Sequence, residues 1–125
     1  MDLSSYFRAV LEEDRCAVVL CSLAHEIIYM NPAAQQRYAK HGGGALVGQS
    51  IFSCHNGRSR ELIEQVTAWF AADPSHNRVY TFRNEAENKD VYMVALRDGS
   101  GGLIGYYEKH EYRTPETAPL YGFGG

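Results

Sequence analysis

The stretch Ser53-Cys54-His55-Asn56-Gly57-Arg58-Ser59 sets a thiol beside an imidazole, with a guanidinium and hydroxyls close by. A cysteine nucleophile needs a base within hydrogen-bond reach and a third group to orient that base. Neighbouring side chains point in different directions in most backbone conformations, so Cys54 and His55 would need a further histidine brought in by folding. The stretch precedes a helical apolar pattern, and a simpler role fits it: Cys54 fills the core, while His55 or Asn56 caps the free N–H groups of the helix start. A helix N-terminus also lowers a thiol pKa, which keeps a redox or ligand-contact role for Cys54 open. For metal chemistry, Cys16, Cys21 and Cys54 with His25, His41, His55, His76 and His110 form no CxxC or HxxxH pair, which argues against a zinc site.

The elements that must position these residues fit one domain, since 125 residues at 45% hydrophobic content supply one modest core. A formal charge of -3, with Lys and Arg scattered along the chain, leaves no nucleic-acid footprint. The apolar run 16–23 is far below membrane-spanning length, and the first residues lack a basic segment followed by an apolar core, so a cytoplasmic protein without a membrane anchor is expected. An odd cysteine number without compact spacing points to reduced thiols, with Cys16 and Cys21 as small packing residues in a strand.

Leu3, Phe7, Val10 and Leu11 recur at helical spacing behind Ser4 and Ser5, predicting an amphipathic helix over 1–13 outside the main fold. The β-rich runs 16–22 and 25–30 predict a tight hairpin. Asn31-Pro32 then caps and opens a short helix that ends at Gly42-Gly43-Gly44, a helix stop lacking the Lys-Ser or Lys-Thr of a phosphate loop. One turn of helix is expected within 45–54, with a bend at Gly48. Leu62, Ile63, Val66, Trp69 and Phe70 share one face of the longest helix, over 58–72. The runs 78–85, 89–98 and 103–112 predict a three-stranded meander, and 114–125 an exposed flexible tail.

Two strands, short helices, one longer helix and three strands make an α+β order in which five antiparallel strands form one sheet with helices packed on one face. This order resembles the PAS fold. Ile27–Tyr38 (IIYMNPAAQQRY) is similar to that family's strand followed by Asn and a small-residue helix, LVGQSI at 46–51 to its Gly-containing turn, and VYMVALRDGSGGLIGYYE at 91–108 to its closing hairpin. SCHNGRS at 53–59 resembles a variant found in some bacterial members. The resemblance covers residues 14 to 112, so 14–113 is expected to be a PAS-like domain. After it, KHEYRTPET at 109–117 replaces the family's usual Asp-Ile-Thr-like exit into a signalling helix.

The resemblance implies a bacterial sensory or signal-transduction module, of the kind used in regulation of transcription, without enzymatic activity. It would bind a small ligand or a signalling protein partner and pair as a homodimer through the outer sheet face and N-terminal helix. The implied pocket is Tyr38, Phe52, Cys54, His55, Ile63, Val66, Phe70 and Met93. A sheet with helices on one side encloses such an apolar cleft on general grounds. Haem is disfavoured because 58–72 holds no histidine and His55 and His76 only flank it; flavin is disfavoured because only the cysteine of the light-sensor motif is present. Tyr80, Phe82, Tyr92, Tyr106, Tyr107 and Tyr112 alternate to both sheet faces, and the outward set reads equally as an interface or as cross-strand packing. Two alternatives stand beside the sensor: a small α+β enzyme using Cys54 or His55 in its cleft, and a ligand-free dimerisation scaffold.

Overall fold

The computed structural model describes residues 1–54 and 57–124, with the backbone alone for Cys54. Helix α1 (Ser4–Glu13) begins where Asp2 Oδ1 accepts the Ser4 N–H, and it buries none of its side chains. Strands β1 (Val19–Ser22) and β2 (Ile27–Met30) form an antiparallel hairpin that reverses at His25, held at φ +62°. Both strands start later than their composition suggests. Cys16 lies in a bend, not in a strand, because the carbonyls of Asp14 and Cys16 are taken by the Asn31 side chain instead of a neighbouring strand.

Asn31 is the junction of this half of the chain. Its side chain is fully buried; Oδ1 accepts from the N–H groups of Val18 and Ala34, and Nδ2 donates to the carbonyls of Leu11, Asp14 and Cys16. The Ala34 bond is a helix N-cap, and Pro32 occupies the first helical position of α2 (Pro32–Arg37), where a missing N–H is harmless. Helix α2 ends early because the Tyr38 carbonyl turns to the N–H groups of His41 and Gly43, with Gly42 at φ +113° reversing the chain. Three 3-10 turns follow, Ala39–His41, Gly43–Leu46 and Ile51–Cys54; the last lies within 45–54, where one turn of helix was expected, and the first replaces the expected end of α2.

Helix α3 (Gly57–Ala72) turns Ile63, Val66 and Phe70 toward the core, whereas Leu62 and Trp69 stay exposed. The inward stripe is thus narrower than the apolar set. Trp69 is instead covered on one face by the His76 ring, stacked at 3.9 Å. The Arg97 guanidinium donates to the carbonyl of Phe70, an acceptor that the last turn of α3 leaves open, and to those of Asp73 and His76 in the loop beyond it.

Strands β3 (Arg78–Asn84), β4 (Lys89–Arg97) and β5 (Leu103–Tyr112) complete an antiparallel sheet of order β2-β1-β5-β4-β3. The last strand is therefore the central one, paired with the first. The approach is close at Gly105, where a Cβ would collide with the Cys21 carbonyl. The core, including Cys21, Ile27, Met30, Ala34, Phe70, Met93 and Tyr106, lies between the sheet and α2, the turns and α3. Helix α1 stands apart from that core, touching the opposite sheet face through Tyr29, whose hydroxyl donates to Glu12.

On that outer face Tyr80 donates to Asp90 at 2.7 Å, and Tyr92 accepts from Arg113 and lies under the Arg78 guanidinium at 4.0 Å. These outward tyrosines are held by charges of their own chain, as in cross-strand packing.

Replacing Asn31 by Ala strands buried carbonyls and removes a cap, so the fold should lose roughly 3 kcal/mol. Chemical denaturation of the variant checks this, and a loss near zero would show that Asn31 is not the junction described.

Candidate functional site

Side chains on a strand alternate between faces, so the inward positions of β1, β4 and β5 form the floor of the space beneath α2 and α3. That floor carries Val19 and Cys21 from β1, Lys89, Val91 and Met93 from β4, and Tyr106, Glu108 and His110 from β5. The space is a cleft with two lobes of about 550 and 490 Å³. Tyr38, Ile63, Met93 and Glu108 border both lobes, so they form the seam between them.

The expected pocket residues fall in several places. Tyr38, Ile63 and Met93 line both lobes, and Val66 lines the second. Phe70 is fully buried in the core and borders neither lobe. Phe52 also stands outside the linings, its ring 4.5 Å from His25 and 4.7 Å from the Arg60 guanidinium. The Cys54 side chain and His55 lie outside the described residues.

The polar part of the floor was not anticipated. Lys89, almost fully buried, meets His110 Nδ1 at 2.8 Å, and His110 Nε2 meets Glu108 Oε1 at 2.9 Å. An ammonium only donates, so His110 Nδ1 is the acceptor and the Nε2–H donates to Glu108. On its other side Lys89 lies 3.6 Å from Glu87, which accepts both arms of Arg37 at 2.9 Å. A chain of alternating charge thus runs from Arg37, at the end of α2, to Glu108 in the cleft. Burial pushes the Lys89 ammonium below its ordinary pKa, which the neighbouring carboxylates oppose. The Arg37 guanidinium holds the Glu87 carboxyl down at about 2.

A second polar group closes the far end of the floor. The Tyr106 hydroxyl is 2.8 Å from His25 Nδ1 and also contacts the Cys21 thiol. Burial raises the Tyr106 pKa well above its usual range and pushes the Cys21 thiol up to about 11, while it lowers that of His25. These groups are therefore neutral at pH 7 and act by hydrogen bonding. The sequence signal for the floor was the alternation Tyr106, Glu108, His110 along β5, which reads as a solvent-facing row until the strand is placed at the centre of the sheet.

Glu87 has a folded pKa below the ordinary value of 4.5, so its contribution to stability is complete above that value and is lost as pH falls toward about 2. The Glu87→Gln variant should lose the part of the acid-unfolding response lying between those limits, measured as denaturation midpoint against pH; an unaltered profile would contradict the Arg37–Glu87 assignment.

No family model matches this sequence, and no curated protein does. Solved structures do match. The chain superposes on the PAS domain of a Colwellia psychrerythraea protein with a TM-score of 0.64 at 14% identity, covering 90% of this chain and 98% of that one. It superposes on the PAS domain of Bordetella pertussis BvgS with a TM-score of 0.60 at 17% identity, covering 92% and 89%. VqmA of Vibrio cholerae, in a structure bound to DPO, matches with a TM-score of 0.59 at 11% identity, covering 89% of this chain and 58% of VqmA. At these identities the likeness lies in the arrangement of strands and helices, and by that arrangement the chain is a PAS-fold domain.

Proposed function

We propose that this chain is a sensory module that binds a small molecule in the cleft beneath α2 and α3 and acts as a homodimer, without catalysis. The observation that carries the reading is the cleft itself, about 550 Å³ in its first lobe, walled by apolar side chains and floored by Tyr106 and Glu108. A mostly apolar pocket with a few convergent polar groups is the usual form of a small-ligand site. VqmA, of similar fold, has been captured bound to DPO.

The ligand-free scaffold fits less well, because a pairing module has no use for a cleft of this size in a small core. The enzyme reading lacks support among the described residues. The one thiol, phenol and imidazole chain there, Cys21–Tyr106–His25, has its thiol pKa raised to about 11, the reverse of nucleophile activation.

Pairing is supported by α1, where Leu3, Tyr6, Phe7 and Val10 lie on one stripe and are all exposed. A second copy of the same helix covers such a stripe in the simplest symmetric arrangement. No described helix is long and apolar enough to cross a membrane, and we place the module in the cytoplasm.

Native mass spectrometry of the chain purified without added cofactor should show a retained small molecule, and Trp in place of Ile63, which borders both lobes, should abolish it. Bare polypeptide from both chains would favour the scaffold. The Phe7→Glu, Val10→Glu double variant should run as a monomer in light scattering with its circular dichroism unchanged; an unchanged dimer would remove α1 from the interface.

A further inference from the structure

We infer that the cleft admits an uncharged, largely apolar ligand and turns away both ammonium and carboxylate compounds, because the charges at its wall cancel one another within the chain. The inference rests on the cleft being a ligand site and adds the chemical class of its occupant. Among the described residues lining the two lobes, the formal charges are Arg37, Lys89 and Glu108, and Glu87 lies against the first two. Two cations thus face two carboxylates, and the set carries no net charge. The order of contacts makes this balance local. Both arms of Arg37 reach Glu87 at 2.9 Å, and Lys89, almost fully buried, lies 3.6 Å from Glu87 on one side and 2.8 Å from His110 Nδ1 on the other. An ammonium on Nδ1 polarises the imidazole, so the Nε2–H that His110 donates to Glu108 at 2.9 Å carries part of the Lys89 charge to that carboxylate.

Glu108 is therefore compensated although it borders both lobes. It accepts from His110, is attracted by Lys89, and is further engaged within the chain. A charged ligand entering the cleft loses water from its ionic group, and each opposite charge it meets there already has a partner. An uncharged ligand gives up far less hydration. Its apolar surface is met by Ile27, Met30 and Leu46 in the first lobe and by Ile63 and Met93 at the seam. Tyr38, Gln49 and Tyr106 add phenol and amide groups to the first lobe, which hydrogen-bond a hydroxyl or carbonyl without any formal charge.

Three probes of matched shape test the inference at pH 7: 2-phenylethanol, 2-phenylethylamine and 3-phenylpropanoate, each titrated against the folded chain while the methyl signals of Ile63 and Met93 are followed by NMR. The alcohol should shift these signals at a concentration about tenfold or more below that needed by either ion, a small part of what it costs to strip water from an unpaired charge. Glu108→Gln removes one carboxylate of the set and keeps an acceptor for His110, so the wall is left with an excess of positive charge. In that variant the propanoate should gain on the alcohol by about threefold, the pull of a unit charge several Å away in a wet cleft. A native chain that takes either ion as readily as the alcohol overturns the inference and leaves the cleft standing as a ligand site. An unchanged propanoate-to-alcohol ratio in folded Glu108→Gln overturns it too, since the charges at the wall would then not govern what enters. If none of the probes moves either methyl at millimolar concentration, the cleft is not a ligand site and both readings fall. The native-chain contrast decides the matter even if the variant does not fold.

Discussion

The buried amide of Asn31 is the constraint on which the first half of the fold depends. One side chain caps α2, accepts from the segment leading into β1, and takes carbonyls at and just beyond the end of α1. Each of these backbone groups would otherwise need water or a different path for the chain, and the site has no exposed surface to admit it. The roof of the cleft and the outer helix are therefore tied to one point. Gln35, one turn further along α2, reinforces the junction by donating to the Met30 carbonyl.

The second half depends on the central position of β5. Lying between β1 and β4, it sends Tyr106, Glu108 and His110 into the cleft on the same face that carries Cys21 and Met93 from its neighbours. Polar side chains in such a place must be paired, and they are: Tyr106 with His25, His110 with both Lys89 and Glu108. The result is an apolar chamber with a polar floor of fixed hydrogen-bond direction. The opposite face of the sheet is of another kind, with Arg78, Asp90, Glu111 and Arg113 joined in an exposed ion-pair lattice around Tyr80 and Tyr92.

Much of this plan was legible in the chain before folding. The helix start at Asn31-Pro32, the turn at 98–102 and the β5 span follow from local chemistry that tertiary packing did not overrule. What local reasoning lacked was the long-range use of the same residues. Asn31 reads as a cap, but nothing nearby in sequence announces that its amide will gather carbonyls from 11 to 16 and so keep Cys16 out of the sheet. Lys89 reads as a charged strand end, and its burial emerges only when β4 pairs with His110 of β5. The Cys54-His55 pair draws the eye as chemistry, but the Cys54 side chain and His55 lie outside the described residues, and the Lys89–His110–Glu108 group lies on β4 and β5, at alternate positions that resemble a wetted face.

The proposed sensory role requires a small molecule in the cleft, held against the floor formed by Tyr106, Glu108 and His110. A crystal structure of the chain as purified from cells, at a resolution that shows ordered solvent, tests it most directly. A sensory cleft requires connected non-protein density between that floor and Ile63. A closed cleft, with Ile63 and Met93 packed together over Glu108, would contradict it.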